Sequence, residues 1–225
     1  HMSSTAKRWL VYLAGLVILA LGITLNTKST LGVSPIVASA YVVSELTGLN
    51  FANMTLVLYC ILVGIELVIH IIRKENKGVL IKDILQIPLS LVFTRFMNIF
   101  VLTIPVFEKA YPDSFMGSLA GRILVLIVAI ICTGVGAALS LNVRLVPNPG
   151  DGVVQAIADV IKKPVGFTKN AFDVCSILIA ALIGLVFGGR IIGIGIGTIL
   201  AMIGVGRVVA LTNHLFKDKI DKLVR

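Results

Sequence analysis

Leu145-Val146-Pro147-Asn148-Pro149-Gly150-Asp151-Gly152 decides the reading of this chain. Two prolines, two glycines, an Asn and an Asp cannot continue an apolar helix. Yet Leu119–Leu141 before it reads as a full membrane span. Val153–Lys163 after it is helical in character but too short to cross a bilayer, which takes about 20 residues. Leu31-Gly32-Val33-Ser34-Pro35 interrupts the first half in the same way. A short apolar segment, Val33–Leu46, follows it and ends at Thr47-Gly48.

The rest of the composition agrees with a membrane chain. Of 225 residues, 57% are hydrophobic and 14% charged, against about 25% charged in an ordinary soluble domain. The chain is therefore expected to be an all-α polytopic membrane protein. The net charge of +9 is explained by loops that collect Lys and Arg on the cytoplasmic side, so no nucleic-acid partner is expected. His1-Met2 reads as a tag-cleavage scar within a cytoplasmic N-terminus, residues 1–8, and no cleavable signal peptide is evident. Cys60, Cys132 and Cys175 sit singly in apolar runs and are expected to be small buried residues. His70 and His214 flank cytoplasmic ends, where interfacial polarity accounts for them. No Ser–His–Asp, His–Glu–x–x–His or Cys–His set is present, so neither an enzyme nor a metal site nor a cofactor is expected.

Taken in order, the chain gives two parallel readings. Residues 9–107 hold a span (Trp9–Asn26), the first short helix, a span carrying Glu66 (Ala52–Ile72), and a stretch interrupted by Pro88, Arg95, Asn98 and Pro105 (Ile84–Phe107). Residues 108–118 form a polar linker. Residues 119–213 repeat the order: Leu119–Leu141, the second short helix, Ala171–Phe187 and Ile191–Thr212. A basic cytoplasmic tail, residues 214–225, closes the chain. If both short helices dip in and return to the side they entered from, fourteen of the 20 Lys and Arg face the cytoplasm. Full crossing splits them only 11 to 7, so the positive-inside rule favours re-entry. The expectation is six transmembrane helices plus two short re-entrant helices, with both termini cytoplasmic. Three spans per half make the halves an inverted repeat, a common transporter plan.

Gly32-Val33-Ser34-Pro35 with Thr47-Gly48-Leu49, and Pro149-Gly150-Asp151-Gly152 with Gly188-Gly189 and Gly195-Ile196-Gly197-Thr198, resemble the YczE/YyaS/YitT family of bacterial membrane proteins. The resemblance runs from Trp9 to Phe216. It implies a multi-span protein of the bacterial cell membrane and a permease-like role with an undefined substrate. Many members resemble Gly-x-x-Pro-Trp-Asp in the first half. Here Ile36-Val37 follows Pro35, so the first-half acid is missing.

Helices that begin at membrane depth turn unpaired N–H groups and a positive dipole end toward a cavity. The candidate solute-binding residues are thus Ser34, Pro35, Asn148, Gly150, Asp151 and Gly152, joined by Arg95 from the middle of its stretch. Glu66 and Asp151 are the candidate charge-coupling groups, and Glu66 is the expected counter-ion of Arg95. Asp173 and Arg144 fall near the cytoplasmic interface and are candidate partners in a structural role. The glycines of 193–206 are expected to serve close helix packing. The leading expectation is a secondary transporter of a small polar, anionic or zwitterionic solute. A channel-like pore and a non-transporting scaffold or lipid-binding partner are the alternatives. Membrane lipids and a homo-oligomeric assembly complete the expected partners.

Overall fold

The computed structural model describes residues 3–224, so the tag scar and Arg225 lie outside the described residues. The fold is all-helical among them: α1 Ser4–Lys28, α2 Ala38–Thr47, α3 Phe51–Ile72, α4 Lys77–Thr103, α5 Phe107–Ala110, α6 Leu119–Asn142, α7 Pro149–Ile161, α8 Val165–Gly188 and α9 Ile196–Val224. A 3-10 turn, Pro35–Val37, leads into α2, and another, Phe115–Gly117, precedes α6. Among the described residues, six helices are long and apolar enough to cross a membrane. The protein is a polytopic membrane protein, and the apolar side chains it exposes, such as Ile65, Leu102, Leu178 and Phe187, form the surface such a protein turns to lipid.

Local chemistry sets each boundary. Asn148 caps α7 by accepting from the Gly150 N–H at 3.1 Å, and Pro149 takes the first helical position, where a missing N–H costs nothing. Gly48 ends α2 in the left-handed region at φ 72°, and Lys162 ends α7 the same way at φ 54°. Several expected boundaries move, among them the start of α8, which lies at Val165 rather than Ala171. Asn76 accepts from the Val79 N–H at 3.1 Å and starts α4 at Lys77 rather than near Ile84. That helix runs on through Pro88. α9 starts only after the Gly193–Gly195 break but absorbs the basic tail as helix. The cysteines differ too: Cys60 and Cys175 are exposed and Cys132 is partly so. In a membrane chain the outer surface is itself apolar, so a small apolar residue need not be interior.

The chain divides into two compact units. The first holds the chain up to Ser34, Phe96–Leu145 and the chain from Gly193 on. Its centre is α1 against α6. A Cβ on Gly15 would meet the Gly136 carbonyl oxygen at 2.9 Å, and one on Gly136 would meet the Leu19 nitrogen. A Cβ on Gly22 would collide with the Thr133 side chain and nitrogen. Only glycine permits backbones this close, and dispersion between backbones is what holds helices together in lipid. The two helices are antiparallel, and each lends an arginine to the other's C-terminal end. The Arg8 guanidinium donates to the Val143 carbonyl at 2.7 Å. Arg122 donates to the Ser29 carbonyl at 3.0 Å and pairs with Glu108 at 3.5 Å. These carbonyls are ones a helix end leaves without partners.

The two irregular stretches of this unit satisfy one another. Val33 N–H donates to the Gly193 carbonyl at 2.8 Å, and Gly197 N–H donates to the Leu31 carbonyl at 2.7 Å. Asn26 Nδ2 reaches the Gly32 carbonyl at 2.6 Å. Gly32 has φ +130°, and a Cβ there would meet the Thr198 nitrogen at 2.7 Å. Of the 193–206 glycines expected to serve close helix packing, Gly204 stands against Ile130 of α6, Gly195 and Gly197 instead meet the irregular Leu31–Gly32 stretch, and Gly206 has nothing near it.

The second unit holds Pro35–Arg95 and Val146–Ile192. Here α2 packs on α3 and α8, and α7 packs on α3 and α8. All three buried carboxylates among the described residues, those of Glu66, Asp83 and Asp173, lie in this unit.

Gly136→Ala is expected to lower the detergent melting stability by about 2 kcal/mol or more, because the added methyl meets backbone rather than a movable side chain. Gly64→Ala, with nothing within 4 Å of its Cβ position, is expected to be neutral or stabilising by up to about 1 kcal/mol. Thermal unfolding of the two variants checks the pair. Equal stability would remove the α1–α6 glycine contact from its central place.

Candidate functional site

The second breaker stretch brings the start of α7 onto α3. A Cβ on Gly152 would lie 2.5 Å from Glu66 Oε2 and 2.7 Å from Oε1. The absence of a side chain at Gly152 is therefore what lets the Glu66 carboxylate rest on the first turn of α7. Gly150 stands against Ile36, whose Cδ1 would be 2.8 Å from its Cβ. Pro35, beside Ile36, is buried and opens the turn into α2. Asn148 also hydrogen-bonds Tyr59, a fully buried α3 side chain that stacks on Phe93 of α4 with ring centroids 5.7 Å apart. So Pro35, Asn148, Gly150, Gly152 and Glu66 belong to one neighbourhood.

Asp151 occupies the first turn of α7, where a carboxylate complements the helix dipole. It keeps some accessible surface. Lys169 and Asp173 are the charged groups that act on it. Asp173 pairs with Lys169 one turn away on α8, Nζ to Oδ2 at 3.0 Å, and not with Arg144. The i,i+4 spacing on one helix makes the nearer lysine the available partner, while Arg144 lies in the first unit, exposed.

Ser34, the residue before Pro35, is buried and belongs to the first unit. One expected site residue lies away from this neighbourhood. Arg95 is exposed and donates to Asn53 Oδ1 at 2.5 Å. Asn53 is in the first turn of α3, and Glu66 is 13 residues further along that helix, a rise of about 20 Å. Arg95 and Glu66 are thus not counter-ions. The cause is the early start of α4. From Lys77, Arg95 lies about 27 Å along the helix, close to the full hydrocarbon thickness of about 30 Å.

The partners of Glu66 are on the opposite part of α4. Gln86 Nε2 donates to Glu66 Oε2 at 3.0 Å. His70 Nδ1 lies 2.7 Å from Asp83 Oδ2, and Asp83 also comes within hydrogen-bonding reach of Glu66. Sequence reading assigned His70 to interfacial polarity and passed over Asp83 and Gln86. The signal was there. Glu66 and His70 are four apart on α3, and Asp83, Gln86 and Ser90 recur three and four apart on α4, so each set shares one helical face.

No solved structure matches this chain. Two curated proteins of Bacillus subtilis (strain 168) are similar to it. One, described as "Uncharacterized membrane protein YczE", is 28% identical over 77% of this chain and 73% of its own. The other, described as "Uncharacterized protein YyaS", is 24% identical over 84% of each chain. Residues 6–214 match the "Family of unknown function (DUF6198)", and the chain belongs to that family.

Proposed function

We propose that this protein is a secondary transporter of a small polar solute, with the solute site at the first turn of α7 in the second unit. The observation that carries the reading is the seating of the buried Glu66 carboxylate on Gly152, inside a break of the membrane helices. Ionisable groups inside a membrane chain are costly and mark solute or ion pathways. Irregular backbone at such depth is tolerated where it lines a wet cavity or is buried in protein. The charges gathered near α7 are acidic, with Lys169 the basic group facing them, and Arg95 is remote. That balance narrows the solute to a zwitterion or an amine-bearing species rather than a simple anion. Glu66 and Asp151 tune the charge of the site or carry a proton.

The two short helices serve as re-entrant segments. α2 has 10 residues and α7 has 13, which span about 15 and 20 Å and fall short of a core of about 30 Å. With both returning to their side of entry, the termini and the α3–α4 turn face the cytoplasm of a bacterial cell membrane. A cysteine at Asn50, in a variant lacking Cys60, Cys132 and Cys175, is expected to react with an impermeant thiol reagent applied to intact cells. A cysteine at Lys77 is expected to react only after lysis. The reverse labelling would overturn the re-entrant topology.

Transport is tested in proteoliposomes against a panel of amino acids and small amines, with counterflow as the criterion for a carrier. Asp151→Asn and Gly152→Ala are each expected to cut the flux about tenfold or more, the scale of one lost charge-assisted hydrogen bond. Asp159→Asn, on the exposed side of α7, is expected to leave it unchanged. Unaltered flux in both site variants would move the site elsewhere, and flux without counterflow would make the protein a pore.

A further inference from the structure

The α3–α4 side-chain cluster goes beyond a solute site. Glu66, His70 and Asp83 each offer a ligand atom, and these atoms lie within 4.8 Å of one another. Ligands about 2.1 Å from a common ion stand at most about 4.2 Å apart, so a contraction of about half an ångström brings all three into one coordination shell. Among the described residues, no Lys or Arg comes within 4.0 Å of either carboxylate. The set holds two carboxyls and one imidazole, and even with His70 protonated the full ionised set remains negative. Like charges buried together are unfavourable without a compensating cation.

A second observation is independent of that count. Gln86 is 1% exposed and its amide is fixed against Glu66, yet its Oε1 has no hydrogen-bond partner. Turning the amide over would only exchange an orphan acceptor for an orphan donor. Ser90 Oγ, one turn along α4 and 3% exposed, is also without a partner. A buried acceptor left unpaired costs about 1–3 kcal/mol, and an amide oxygen beside two carboxylates and an imidazole is a cation ligand in waiting.

We propose that Glu66, His70 and Asp83, with Gln86 Oε1 as the fourth donor, bind one divalent transition-metal ion. The imidazole selects against Mg2+ and Ca2+, which prefer all-oxygen shells, and the absence of a thiolate points to the Mn2+–Zn2+ range. In binding, the ion takes the place of the proton that joins His70 Nδ1 to Asp83 Oδ2. His70 is the one partly exposed ligand, its side chain at 14%, and lies two residues from the end of α3. It marks the entry from the α3–α4 turn. The site stands on binding geometry alone and does not require that the chain move a solute.

The test uses the full-length protein in detergent, stripped with EDTA and titrated calorimetrically with Mn2+, Zn2+, Mg2+ and Ca2+. One Mn2+ or Zn2+ per chain is expected, with His70→Ala and Asp83→Asn each weakening it about tenfold or more. His214→Ala and Glu75→Gln are expected to bind as the parent does. Absence of Mn2+ and Zn2+ binding overturns the proposal. So does binding undiminished in His70→Ala and Asp83→Asn, or equal affinity for Mg2+ and Ca2+. If those two variants do not stay monodisperse, electron spin-echo spectroscopy of Mn2+ on the parent decides instead. Nitrogen coupling that persists in a variant carrying both His1→Ala and His214→Ala supports His70 as a ligand, and its absence overturns the site. A chain that binds the ion and moves no solute keeps this inference and loses the transport reading; flux without ion binding does the opposite.

Discussion

Every backbone N–H and C=O that leaves a helix inside lipid must find a partner within the protein. In the first unit the chain leaves its helices around Leu31–Val33 and around Gly193–Gly195, and these two stretches pair with each other. Leu31 and Val33 bond to Gly197 and Gly193 across a few ångströms of extended backbone. Thr198 Oγ1 accepts from the Gly195 N–H at 3.2 Å. The glycines at 32, 195 and 197 follow from that contact, because a Cβ on each would meet backbone within 3 Å. The ends of α1 and α6 obey the same rule by other means. Their last carbonyls receive Arg122 and Arg8, so two charges that would be costly in lipid act as helix caps.

Those arginines also expose a symmetry. The shift in residue number that carries Arg8 onto Arg122 carries Ser29 onto Val143, Gly22 onto Gly136, Thr30 onto Arg144, Pro35 onto Pro149 and Gly48 onto Lys162. Each pair does one job. Thr30 and Arg144 both follow the end of a long helix with positive φ, at 58° and 51°. Pro35 and Pro149 both open a short helix, and Gly48 and Lys162 both end one. The contacts repeat as well, since α2 meets α8 as α7 meets α3. Both units therefore draw on both halves of the sequence, and in the first of them the leading helices of the halves run antiparallel.

Much of this was legible in the residues. Spans, breakers and the order of the halves follow from hydropathy and from Pro and Gly, because these act locally. The start of α4 was not legible. Lys77, Lys82 and Asp83 precede the expected start at Ile84, but an Asn76 cap and a polar face turned toward α3 carry the helix through them. That single error displaced Arg95 by about two turns and hid Asp83 and Gln86. The Glu66 environment was half legible. Its burial and its cost were evident from the span that carries it, but its partners depend on which face of α4 meets α3, and α4 has no sharp apolar stripe to say so. Gly152 was readable as a site of close approach, though not as the seat of Glu66.

The division of polar burial between the units follows from how each is held. In the first, backbones touch through Gly15, Gly22 and Gly136, and so close a contact leaves no room for a carboxylate and its partners. In the second, α3 and α4 are joined by long side chains: Tyr59 on Phe93, Glu66 on Gln86, His70 on Asp83 and Arg95 on Asn53. A gap bridged by side chains can hold ionisable groups and can change when one of them gains or loses charge. Because Gly152 lies directly on the Glu66 carboxylate, any shift of that carboxylate is felt at the first turn of α7, beside Asn148 and Asp151. The breaker stretch and the polar row of α3 and α4 therefore meet at one contact, the Glu66 carboxylate against Gly152.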